Sequence, residues 1–157
     1  MEILSSERAG VSTQPEAAVR QYLTFRLGTE RFGVSIDAIV EILKYRAATP
    51  VPRADPTVHG IVSVRGRMIA VVDGGLRLGL AATTFGPSTR IIVVHDDGEQ
   101  VGVLVDAVFE VLRLPDSAVA PPPATVSATT EKGVLGVCDT REESLLILLD
   151  IRRFLDV

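Results

Sequence analysis

Tyr22, Thr24 and Arg26 alternate with Leu23, Phe25 and Leu27, a period of two that predicts a β-strand. Gly28-Thr29-Glu30 supplies a tight turn, and Arg31 to Ile36 completes a hairpin. Asp37 stands where an N-cap would, so a short helical turn is expected to run into a strand through Ala38 to Ile42. Residues 45–57 are rich in Pro and Ala and read as a loop. Gly60 to Val64 and Met68 to Val72 are β-branched runs around Arg65-Gly66-Arg67, a second hairpin. Leu76 to Leu80 is a short helix or coil. After a loop at 81–88, Arg90 to His95 and Val101 to Val105 flank the turn Asp96-Asp97-Gly98, with Asp106 to Leu112 behind them. A long loop is expected over 114–132, where Pro, Ser and Thr accumulate. Val134 to Cys138 and Leu145 to Leu149 are the last strands, and Asp150 caps a closing helix that ends at Leu155. Residues 1–19 show no period and read as a flexible tail.

The chain contains itself twice. Glu30 to Leu43 (ERFGVSIDAIVEIL) lies over Glu99 to Leu112 (EQVGVLVDAVFEVL) with seven of fourteen positions identical. Gly60 to Val64 then matches Gly133 to Val137, and Ile69 to Asp73 matches Leu146 to Asp150. Two matches in the same order imply two copies of one five-strand unit, roughly 20–80 and 88–157. Each unit is short for a core of its own. Each is expected to close into a small barrel and to share an apolar seam with the other, an interleaved two-barrel body over 20–157. The fold class is all-β with a few short helices, because no helical run is long enough for a crossover.

Composition narrows the chemistry. With 46% apolar residues the chain can fill a core, and with 4% aromatics Val, Ile, Leu and Ala must fill it. A net charge of -4 argues against nucleic acid as the main partner. The single cysteine, Cys138, excludes an internal disulfide framework, and two histidines leave little for a metal centre. No segment is apolar for long enough to span a bilayer, and the start lacks the pattern of a secretory signal. The expectation is a cytoplasmic protein without cofactor.

Asp73 and Asp150 each end an apolar strand, one per repeat, as the two carboxylates of a pepsin-like protease would. The plainer reading is that each caps the turn behind it. Asp37 with Glu41, and Asp106 with Glu110, place carboxylates four apart, on one face if the segments were helical. Glu41 lies in an apolar stretch and needs a partner if buried, for which Arg65 is the candidate. Cys138 could serve as a nucleophile, though a core position explains it as well.

The run YLTFRLGTERFGVSIDAIVEIL, then TPVP, GIVSVRGRMIAVVD and VGVLVDAVFEVL, resembles the bacterial CheW-like domain family over Gln21 to Leu155. The chain departs from the family pattern at Ala70, usually Pro, and at Gly74-Gly75, usually Leu-Arg. The resemblance implies two five-stranded SH3-like barrels and a non-enzymatic adaptor. It would join the cytoplasmic tips of chemoreceptors to a CheA-type histidine kinase. It would be recruited to membrane-associated receptor arrays without inserting into the membrane, and be a monomer outside them. A CheW-like adaptor of a pilus, gliding or other chemosensory-like pathway is the alternative. The carried-over receptor-binding residues are Ile36, Ile39, Glu41, Ile42, Arg65, Gly66, Val105 and Val108. Thr49 and Val51 correspond to the kinase-binding side.

Overall fold

The computed structural model describes residues 18–122, 133–140 and 145–155. Strands β1 (Val19–Leu27) and β2 (Glu30–Ser35) form the first hairpin. A 3-10 turn (Ile36–Ala38) leads into β3 (Ile39–Lys44). The second hairpin is β4 (Val58–Val64) and β5 (Arg67–Asp73), followed by helix α1 (Gly74–Arg77). The third is β6 (Arg90–Asp96) and β7 (Glu99–Val105), which runs on into β8 (Ala107–Pro115). β9 (Val134–Asp139), β10 (Leu145–Leu149) and helix α2 (Ile151–Leu155) complete the described chain.

The strands make two five-stranded sheets, ordered β9-β10-β2-β1-β8 and β3-β6-β7-β5-β4. Neither sheet is one repeat unit, which corrects the expectation that each unit closes on itself. The hairpin β1-β2 of the first unit joins β8, β9 and β10 of the second. The hairpin β6-β7 of the second unit joins β3, β4 and β5 of the first. The central pairing of each sheet is parallel, β2 on β10 and β7 on β5. Parallel neighbours cannot be joined by a tight turn, so one of them must arrive from elsewhere in the chain.

Both sheets close. Beyond β3 the chain bends so that Thr49 bridges Ile61 of β4, and beyond β8 Ala120 bridges Val137 of β9. Each bridge joins the two edge strands of its sheet and removes an exposed edge. The bridges also reset the second internal match. A Cβ on Gly60 would sit 2.6 Å from the Thr49 carbonyl oxygen, and one on Gly136 would sit 2.8 Å from that of Ala120. Only glycine fits where the closing segment crosses the strand. Gly60 is therefore the counterpart of Gly136, three residues beyond the Gly133 that the sequence alignment picked.

Three apolar clusters result from this closure. Leu43, Val62, Val64, Ile69, Val71, Ile91, Val93 and Leu104 fill one barrel. Tyr22, Cys138, Leu146 and Leu148 fill the other. The largest cluster lies between them and draws on both sheets, with Leu23, Phe25, Phe32 and Val34 against Ile92, Val94, Val103 and Val105. This is the shared seam. Arg77 on α1 ties the two repeats together, its guanidinium donating to the carbonyls of Phe154 and Leu155 at the end of α2.

Boundaries shift in three places. The tail expected over 1–19 loses its last two residues, since Val19 opens β1 and the Ala18 carbonyl accepts from the Asp116 amide. Its remainder lies outside the described residues. Leu114 and Pro115, expected in a loop, end β8, and Asp116–Ala118 is a 3-10 turn. The N-cap before β3 is Ser35, not Asp37: the Ser35 hydroxyl accepts from the Asp37 amide at 3.2 Å.

Candidate functional site at the mouth of the seam

Strands β3 and β8 are counterparts, and each carries a bulge at the same place. Ile39 pairs with Val94 and Glu41 with Val93, so β3 holds one residue more than β6. Val108 pairs with Phe25 and Val111 with Leu23, so β8 likewise holds one more than β1. A bulge breaks the period of two and re-aims the side chains beyond it. Ile39 and Ile42, three apart, both stand beside seam residues, Val94 and Ile92. Val108 and Val111 do the same beside Phe25 and Leu23. Ile36, Ile39 and Val108 are half-buried and pack against the seam core. Ile42 and Val111 remain 41% and 46% exposed. The two strands thus form apolar lips along the seam.

Polar side chains brace both lips. The Arg65 guanidinium donates to the Glu41 carboxylate at 2.6 Å. Its hydrogen bond and charge hold the Glu41 carboxyl below its ordinary range. On the other lip Glu110 accepts from Arg31 at 3.1 Å, and the Arg31 guanidinium lies 4.8 Å from the centre of the Phe109 ring. Arg65 and Gly66 are the two central residues of the β4-β5 turn, both with positive φ, +50° and +80°. That is the geometry of a type I′ hairpin, where Asn-Gly is preferred and arginine is strained. Arg65 is also 73% exposed. Arg65→Asn is expected to leave the melting temperature where it is, because relieving the turn strain offsets the loss of an exposed ion pair. A thermal melt of the two proteins checks it. Glu41 is expected to protonate only below the pH at which a free glutamate does, so the pair persists through mild acid and opens beneath it. A titration of its carboxyl resonance reads this directly.

Val105 does not belong to this surface. It has 0% exposure and sits inside the seam core, leaving nothing for a partner to touch. Val111 and Phe109 are the exposed residues that sequence reasoning missed. The signal was present, since the repeat register that sets Ile39 over Val108 sets Ile42 over Val111. Thr49 and Val51 lie away from the lips, on the segment that closes the β3-β6-β7-β5-β4 barrel. There Thr49 begins a cross-strand row through Ile61 and Ala70, and Met68, one row along, is 82% exposed. This outer face carries no charged side chain at any of those five positions.

The residues weighed for catalysis cap turns and fill the core. Asp73 is buried and accepts from the Leu76 amide at 3.1 Å and from the Thr83 amide and hydroxyl. Asp150 accepts from the Arg152 amide at 3.1 Å. Each carboxylate caps its own turn, and neither accepts from the other. A Cβ on Gly75 would run into the Ala81 carbonyl, which accounts for glycine here. Cys138 is buried, and desolvation pushes its thiol up, away from the reactive thiolate. Among the described residues no helix is long and apolar enough to cross a membrane.

Comparison with known proteins places this geometry. The family model described as CheW-like domain matches residues 21–157. The chemotaxis protein CheW of Rhizobium meliloti (strain 1021) is 37% identical over 123 residues, 75% of this chain and 78% of that protein. Protein FrzA of Myxococcus xanthus is 31% identical over 118 residues, covering 75% and 73%. The crystal structure of the scaffolding protein TtCheW from Thermoanaerobacter tengcongensis superposes with a TM-score of 0.80 at 28% identity, over 89% of this chain and 94% of that one. The family model spans nearly all of the described chain and the overall structure matches that of a CheW scaffold, so the chain belongs to the CheW-like domain family.

Proposed function

We propose that this protein is a non-enzymatic adaptor that couples the cytoplasmic tip of a chemoreceptor to a CheA-type histidine kinase in chemotaxis signalling. The observation that carries the reading is the pair of bulged lips. A receptor tip is a helical hairpin, and helix-in-groove binding needs an aliphatic trough with a polar rim. Ile39, Ile42, Val108 and Val111 supply the trough, and Glu41-Arg65 supplies part of the rim. The kinase regulatory domain docks on the outer face around Thr49, Val51, Ile61, Met68 and Ala70. An apolar surface of that kind is typical of an interface core. The adaptor works in the cytoplasm beside membrane-bound receptors, as a monomer until it is recruited. It acts by differential contacts that shift the kinase between off and on populations.

Purified protein mixed with a soluble receptor-tip fragment and a CheA-type regulatory domain tests the reading by light scattering. A ternary complex is the expected result. Binding of the kinase domain alone would overturn the trough assignment, and binding of neither would overturn the adaptor. A CheW-like adaptor of a pilus, gliding or other chemosensory-like pathway is the second reading, and the genes beside this one separate the two.

A further inference from the structure

The internal match extends one position further than the aliphatic residues. Glu41-Ile42-Leu43-Lys44 in β3 corresponds to Glu110-Val111-Leu112-Arg113 in β8. Two residues after each exposed apolar side chain, on the same strand face, comes a cation. Lys44 pairs in register with Arg90, and Arg113 with Gln21. Lys44 and Arg113 are exposed, and among the described residues neither has an ion-pair partner. Most other arginines of the two sheets are engaged, exposed Arg67 at the start of β5 being the exception. Arg31 and Arg65 pair with glutamates, and Arg90 turns its guanidinium back to the carbonyls of Pro87 and Thr89.

Lys44 stands opposite Arg90 in register, but the Arg90 guanidinium is turned onto the Pro87 and Thr89 carbonyls, so no carboxylate faces Lys44 across the ladder. A protein of net charge -4 nonetheless keeps a cation at this position on both lips. The arrangement fits an acidic partner, whose carboxylates would supply the counter-charge that these two cations lack.

We infer that Lys44 and Arg113 are specificity cations of the trough, each receiving a carboxylate that the partner helix places next to the aliphatic side chain seated on Ile42 or Val111. The inference rests on the adaptor reading and deepens it. It assigns the chemistry of the receptor segment: two aliphatic anchors, each flanked by an aspartate or glutamate, one for each lip. The pseudo-symmetric pair of lips matches a partner that presents two antiparallel helices.

The test is a titration of a soluble receptor-tip fragment against the whole chain and the variants Lys44→Glu, Arg113→Glu and the double reversal. Melting temperature and kinase-domain affinity are measured on the same samples. Each reversal is expected to weaken receptor binding at least about tenfold, because it sets like charges against each other at a rim. Wild-type affinity is expected to fall between ~0.05 and ~0.5 M salt, as exposed pairs are screened. Melting temperature and kinase-domain affinity stay unchanged, since both side chains are exposed and lie away from the kinase-facing row. Receptor binding by the double reversal within twofold of wild type overturns the inference and leaves the adaptor standing. A wild-type chain that binds no receptor tip while it still binds the kinase domain overturns the trough reading itself.

Discussion

Phe25→Ala is expected to destabilise the whole molecule by about 3–5 kcal/mol, the usual cost of deleting a buried phenylalanine. The side chain is 2% exposed and stacks on Phe32 with ring centres 6.0 Å apart, inside the seam. For a chain of this length such a loss lowers the melting temperature by roughly 10 °C. The form of the transition matters as much as the size of the shift. β1 is paired to β2 of its own repeat and to β8 of the other, and β6-β7 repeats the exchange in the second sheet. Neither half can unfold alone, because each sheet would lose two or three of its strands. One cooperative transition is expected in both wild type and variant, with coincident fluorescence and circular-dichroism curves. A variant that melts in two steps, one for each sheet, would show that the hairpin exchange does not bind the sheets into a single unit.

Most of the strands were legible because the β-branched runs and Gly turns announce them. The repeat told how many strands to expect, but it could not say which pair. Identical patterns in two units satisfy self-closure and exchange equally well, and only the parallel pairings β2-β10 and β7-β5 select exchange. Strand β8 carries no clear strand pattern in its sequence, for a local reason. Its bulge puts Val108 and Val111 on one face with a spacing of three. A spacing of three is closer to a helix than to a strand, and Asp37 to Ile42 carries the same spacing in β3. The Arg65–Glu41 pair was foreseen, because a carboxylate in an apolar stretch calls for a cation and the hairpin supplied one. Gly60 was mismatched because Gly133 is also followed by aliphatic residues. The distinguishing mark of Gly136 is a closing segment that arrives from a distant stretch of the chain. The same limit explains Val105. Its neighbours in sequence look like those of Val108, yet it belongs to β7 and the interior, while Val108 begins the lip.

Val105 and Val111 can be set against each other in one experiment. Val111→Arg places a charge on an exposed apolar anchor of the proposed trough. It is expected to reduce receptor-tip affinity by at least about 30-fold, the scale of an interface hot spot. The melting temperature should barely move, because position 111 is 46% exposed and faces solvent in the free protein. Val105→Ala should do the reverse. Removing two methyl groups from a site with 0% exposure costs about 2–3 kcal/mol of stability, the transfer loss plus a small cavity. The molecules that remain folded should bind the receptor tip as wild type does, since the side chain never reaches the surface. Thermal melts and titrations at a temperature well below both transitions separate the two effects. If Val105→Ala were to lose affinity in step with Val111→Arg while still fully folded, the trough would have to be wider than the half-buried residues on its lips, and the seam itself would have to open for the partner.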